Sequence, residues 1–161
     1  MQDAVETSRF DFTRFLHGET TAWGMIEDRF GRVRRKFTAQ MVGRWNGDVF
    51  VLDEVFTFDD GEVESRTWQV SPGSNGSFTA TCDDCEGRAI GSCSLDLISM
   101  RYRFKLRISG RTVSVDFDDR IHRAANGVAL NRATIRKWGI RIAELWVVFV
   151  RNERLAPASA A

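Results

Sequence analysis

Six ionisable residues stand in stretches that alternate apolar with polar, and they stand on the apolar phase. They are Arg35, Glu54, Arg66, Asp119, Arg132 and Glu144, in step with Phe37, Leu52, Trp68, Phe117, Leu130 and Trp146. In a strand, residues two apart face the same way, so these charges are expected to point inward with the aromatic residues. An unpaired charge is prohibitively costly to bury, so each must pair, hydrogen-bond, or meet water or a ligand. Two readings follow. In the first, the charges fix the polar head of a small molecule whose tail lies against aromatic walls, with Arg66 and Arg132 taking a carboxylate or other acidic group. In the second they are internal ion pairs or rim charges in a filled interior. On the first reading the binding residues are Arg35, Glu54, Arg66, Trp68, Tyr102, Asp119 and Arg132.

Acid–base chemistry is a narrower possibility. Glu54 with Arg66 or Arg132 supplies a base and an electrophile, as a cofactor-free isomerase or cyclase needs, because burial beside an opposite charge tunes acidity. No nucleophile elbow, metal-protease helix or phosphate loop is present. His17 and His122 fall near strand ends among polar residues, as surface histidines do. Cys82-x-x-Cys85 with Cys93 suggests zinc, yet a structural site needs four ligands and neither histidine is near in sequence. Across a two-residue Asp83-Asp84 turn the first two cysteines would face each other and could oxidise in an oxidising compartment; three ordinary thiols is the simpler reading. No metal and no cofactor are expected. Arg101, Arg103, Lys105 and Arg107 share one face of a strand, where they would touch anionic lipid or pair with Asp116 and Asp118 on the next strand.

The strands that must carry these residues are legible from period and punctuation. Val33 to Val70 reads as three strands joined at Asn46-Gly47, a type I′ signal, and at Asp59-Asp60-Gly61. Ahead of them lies a strand from Thr20 to Arg29, and before that Ser8 to Leu16 could form one or two helical turns laying aromatics over an opening. A short hairpin surrounds Asp83-Asp84, and Leu95 to Ile108 is the cleanest alternation. Three more strands follow, with turns at Ser109-Gly110, Asn126-Gly127 and Gly139. About ten antiparallel strands joined to their sequence neighbours would leave bare edges as an open sheet, so they should close. The fold expected is all-β: a single antiparallel up-and-down barrel over residues 1–161, calycin-like, with residues 1–8 and 155–161 loose. The first strand should pair with the last, burying Trp23 and Trp146. Ten strands enclose more room than eight, and small residues on the short hairpin suggest that its side is under-filled.

Composition agrees with one globular chain. The 161 residues are 43% hydrophobic and 28% charged, with two prolines beside thirteen glycines. A net charge of +1 argues against nucleic acid as a main partner. No signal peptide is visible, so a cytoplasmic location is expected, or a periplasmic one for a mature form.

Ordered fragments carry a resemblance: Ala22-Trp23-Gly24-Met25 with Asp28-Arg29, Leu52-Asp53-Glu54 with Asp59-Asp60-Gly61, Asp83-Asp84 with Gly87 and Gly91, Arg101-Tyr102, Asp116 with Asp118-Asp119, and Asn131-Arg132 leading to Gly139. Over residues 10–151 the chain resembles a bacterial family of unknown function whose members are small β-barrel proteins, often lipoproteins. The resemblance implies the fold and no activity. A lipoprotein signal is not seen, and Cys82 and Cys85 depart from the family pattern. A broader likeness to lipocalins rests on a tryptophan early in the first strand, with Thr21 where their glycine stands. The partner expected is a hydrophobic or amphiphilic small molecule held without chemistry in the interior, with the cofactor-free enzyme and the filled structural barrel as alternatives.

Overall fold

A computed structural model describes residues 8–108 and 110–156; of the segments expected to be loose, 1–8 and 155–161, residues 1–7 and 157–161 lie outside the described residues, and the Leu155 and Ala156 N–H groups bond the Asn152 carbonyl. Ten antiparallel strands close in sequence order: β1 (Gly18–Asp28), β2 (Val33–Asn46), β3 (Val49–Phe58), β4 (Val63–Pro72), β5 (Ser77–Thr81), β6 (Cys85–Cys93), β7 (Leu97–Ile108), β8 (Arg111–Ala125), β9 (Val128–Lys137) and β10 (Ile140–Arg151). Closure comes from β1 pairing β10, with Ala22 opposite Phe149 and Gly24 opposite Val147. Because consecutive strands reverse direction, five hairpin tips gather at one end, the mouth. The other end is the base.

The base is sealed by α1 (Phe12–Phe15), capped by the Asp11 carboxylate on the Arg14 N–H. Phe10, Phe12 and Leu16 are buried in the large core cluster, with Phe12 against Phe78 at 5.1 Å. Arg151, at the base end of β10 and in phase with inward Val147 and Phe149, holds the plug, donating to the Phe15 carbonyl at 2.6 Å and the Arg14 carbonyl at 3.1 Å.

Two turns differ from the residues that signalled them. The β2–β3 loop is Gly47-Asp48, with Gly47 alone at positive φ (60°), the pattern of a type II′ turn; Asn46 ends the strand. At β9–β10 both Trp138 (φ 51°) and Gly139 (φ 76°) are left-handed, as a type I′ turn demands.

Trp23 and Trp146 are not buried: they stand on the outer wall, 41% and 37% exposed. The reason lies in volume. Inside, β1 offers Ala22 and Gly24, and β9 offers Ala129, Asn131, Ala133 and Ile135. The Phe37 ring lies where a Cβ on Gly24 would be, 2.2 Å away at its nearest atom. Rings from β2 and β3 fill the lumen, so the facing strands turn their small residues in and their large ones out. The same holds at the short hairpin expected to be under-filled. Phe78 covers Gly91, and Ala80 and Ala89, which pair, are fully buried.

Outward positions of β7 and β8 carry the charge stripe, and register sets Arg101 and Arg103 opposite aspartates while Lys105 and Arg107 face Ser114 and Thr112. Arg103 donates to Asp116 at 2.9 Å, and Arg101 lies 3.5 Å from Asp118. On these two strands charged residues outside and apolar residues inside are the reverse of the alternation a membrane-spanning barrel presents. Among the described residues no helix is long and apolar enough to cross a membrane.

Candidate functional site

Exposure of the inward side chains rises towards the mouth but does not reach all of them. Inward side chains near the base, among them Phe50, Val70, Phe78 and Ile98, are buried to a few per cent or less. Inward side chains nearer the mouth, including Ile26, Phe56, Tyr102, Leu106, Val113 and Leu145, keep part of their surface. Other inward side chains on the mouth side, Phe37, Phe58, Phe104, Val115 and Ile135, are buried, so the exposed surface belongs to single side chains among packed ones. Between base and mouth lies a polar layer.

That layer is built by register. Glu54 on β3 pairs with Arg66 on β4, and Asp119 on β8 lies beside Asn131's strand and two pairs from Tyr102 and Phe117. Glu54 and Asp119 are both buried. Burial is the main influence on Glu54 and pushes its carboxyl up to about 7, against the opposing pull of the Arg66 guanidinium and the Trp68 indole N–H. Asp119 is also raised by burial, although Asn131 Nδ2 donates to it at 3.0 Å and the Tyr102 hydroxyl favours its charged form. Burial likewise lifts the Tyr102 phenol well above its ordinary value, so it stays protonated. Trp68 packs edge-on to Tyr102 at 5.3 Å, and Tyr102 stacks on Phe117 at 5.1 Å.

Arg66 is the least satisfied member. Its guanidinium lies 3.7 Å from Glu54, 3.9 Å from Asp84 and 4.0 Å from Glu64, ion-pair distances beyond hydrogen-bond reach. The Phe104 ring centroid is 4.4 Å away, and the buried Nε has no hydrogen-bond partner among the described residues. A planar fork with open donors is suited to a carboxylate or another two-oxygen acceptor.

The other expected residues divide. Arg35 faces inward at the mouth, over the Phe58 ring at 3.5 Å, and bonds Asp60 and Glu62 of the β3–β4 tip. Arg132 is outside the barrel, and so is Glu144, contrary to expectation. Arg132 lies across Trp146 and donates to Glu144 at 2.7 Å, which leaves that carboxylate buried on the outer wall beneath Arg132 and Arg141. With Trp23, Met25, Leu130 and Val148, Arg132 and Trp146 line an open exterior groove of about 620 Å³. Asn131 is the interior residue that sequence reasoning missed. Its signal was its phase with Ala129 and Ala133, masked by the larger Leu130 and Arg132 beside it. Thr20 Oγ1 and Asn131 Oδ1 are also buried without a partner among the described residues.

Cys82, Cys85 and Cys93 are free thiols, and burial pushes Cys82 up to about 12, so it is not a thiolate near neutrality. Among the described residues no three metal-ligating side chains converge.

A closed antiparallel barrel plugged at its base by a short helix, with a polar layer across its interior, is a calycin-like barrel. The chain belongs to the DUF3833 family, described as proteins of unknown function, whose model matches residues 2–151. No curated protein matches it. Among solved structures it is similar to the S-type phycobiliprotein lyase CPES from Guillardia theta, at 8% identity and a TM-score of 0.62, covering 87% of this chain and 90% of that one. It is more distantly similar to EF1p2_mFAP2b, solved bound to DFHBI, at 9% identity and a TM-score of 0.48, covering 86% of this chain and 94% of that one. Identities this low speak to the fold alone.

Proposed function

We propose that the mouth half of the lumen opens as a cup that holds a small amphiphile without transforming it. The apolar part lies against Phe56, Leu106 and Leu145, and the polar end reaches the floor of Glu54, Arg66, Trp68, Tyr102 and Asp119. Arg35 stands at the mouth. The observation that carries this reading is Arg66, a largely buried guanidinium beside the Phe56 and Phe104 rings whose carboxylate neighbours all stop short of hydrogen bonds. Leaving charged donors open is costly, and a bound acceptor removes that cost.

Native mass spectrometry of freshly purified protein is the direct test. An adduct of lipid-like mass, displaced by a dansyl-labelled medium-chain fatty acid, is the expected result. Failure to find an adduct, together with no saturable dansyl emission, would sink the proposal and leave the filled barrel. The proximity of Glu54 to Arg66, with the carboxyl near neutrality, also supports a second reading in which Glu54 moves a proton on the bound molecule. Recovery of the ligand chemically unchanged from both parent and Glu54→Gln protein separates binding from turnover.

A further inference from the structure

The mouth is divided by charge. Going round the barrel, the β1–β2, β9–β10 and β7–β8 tips are neighbours, and so are the β5–β6 and β3–β4 tips. The first three carry Arg29 and Arg32, Lys137, and Arg107 and Arg111; the Asp28 carboxylate that flanks the β1–β2 tip is turned onto the Phe30 and Arg32 N–H groups and lies 3.8 Å from Arg34. The last two carry Asp83 and Asp84, and Asp59, Asp60 and Glu62. One arc of the opening is mainly basic and the other mainly acidic, although Arg35 pairs with Asp60 and Glu62 in the latter.

The basic arc also holds the two most exposed aromatic residues of the described chain. Phe30 tips the β1–β2 hairpin at 71% exposed, and Trp138 tips the adjacent β9–β10 hairpin at 86%. Arg29 joins the two hairpins through its N–H to the Ile142 carbonyl at 3.0 Å. Each ring has a cation beside it: Arg29 lies 4.8 Å from the Phe30 centroid and the Lys137 ammonium 4.5 Å from that of Trp138. Trp138 further occupies the left-handed region at φ 51°. Glycine and asparagine are the ordinary occupants of that turn position, and a bulky side chain adopts it at a cost. Neither ring packs into the core, so folding does not account for either one. Rings presented beyond the ends of the strands and flanked by cations suit one surface above others, an anionic lipid bilayer. Aromatic rings enter its headgroup region, and nearby lysines and arginines meet the negative surface potential.

We propose that the basic arc, led by Phe30 and Trp138, docks the barrel on an anionic membrane surface. The barrel then leans. Its acidic arc is held off the negative surface while the mouth opens at the lipid headgroups, the position from which an amphiphile passes between bilayer and cup. Docking stands on the surface alone and holds whether or not the cup carries an amphiphile.

Co-sedimentation with vesicles tests it. The protein is expected to pellet with vesicles of equal parts phosphatidylglycerol and phosphatidylcholine, to stay in solution with phosphatidylcholine alone, and to be released as salt is raised. Trp138→Asn, which keeps a residue tolerant of positive φ, and Phe30→Ser should each weaken binding about tenfold with no loss of thermal stability. Arg32→Glu with Arg111→Glu should abolish the preference for the anionic vesicles. Three outcomes overturn the proposal: no binding to either vesicle, binding that survives all these variants, or a dimer in solution that Trp138→Asn dissolves, which would make the arc an interface between copies.

Discussion

Glu54→Gln is expected to stabilise the protein above pH 7 and to change it little at pH 5. The folded chain holds the Glu54 proton up to about pH 7, against 4.5 for an ordinary glutamate. Between those values the folded state is protonated and the unfolded state is not, so stability is fully present below 4.5 and falls as pH rises through 7. Ionising a buried carboxyl displaced by that much costs the folded state on the order of 3 kcal/mol. Gln has no proton to lose, and Arg66 keeps Glu64 and Asp84 beside it. Asp119, raised in the same direction, leaves a residual slope in the variant. Urea unfolding of both proteins from pH 5 to 8 measures the difference. A variant less stable at every pH would mean that the Glu54–Arg66 pair is net favourable as a charged pair.

The second large effect concerns affinity. Arg66→Leu should weaken binding of an acidic amphiphile by about 2–3 kcal/mol, the scale of a charge-assisted hydrogen bond, and leave the barrel folded. Arg66→Lys should recover only part of it, because an ammonium keeps the charge and loses the fork. In the parent, affinity should fall as pH rises through about 7, since ionised Glu54 then competes with the ligand for Arg66. Titration of a dansyl-labelled fatty acid at several pH values reads all three. Equal affinity in parent and Arg66→Leu would remove Arg66 from the site.

The barrel was legible because most strands carry strict alternation between unmistakable turns. Phe50, Leu52, Glu54, Phe56 and Phe58 all face in as β3 predicts, and Ile98, Met100, Tyr102 and Phe104 do so on β7. The half of the polar layer on those strands and on β4 and β8 was therefore placed from sequence. β9 and the start of β1 were not, because hydrophobicity and volume disagree there. Val128–Lys137 alternates Leu130 and Arg132 with Ala129, Asn131 and Ala133, and reading the larger apolar residue as buried chose the wrong phase. A lumen already crowded by phenylalanines from β2, β3, β7 and β8 admits only the smaller set. A one-residue choice of phase inverts a whole strand, which moved Arg132 outside and brought Asn131 in.

Every ladder but one joins strands adjacent in sequence, and the exception has a consequence for how the chain folds. Nine pairings are hairpins closed by short loops, each within local reach. The seam between β1 and β10 must bring together residues as far apart as Thr21 and Asn152, whose side chains bond across 131 positions. Loop-closure entropy makes that step slow and late. Until it happens the meander has two bare edges, each able to recruit another chain. Arg151 lies beside this seam and also grips the plug at Arg14 and Phe15, so locking the ring and sealing its base become one event. Arg151→Ala should accordingly quicken unfolding and raise aggregation during refolding more than it slows the formation of hairpins. Stopped-flow refolding with light scattering would show this, and an unfolding rate unchanged by the substitution would rule it out.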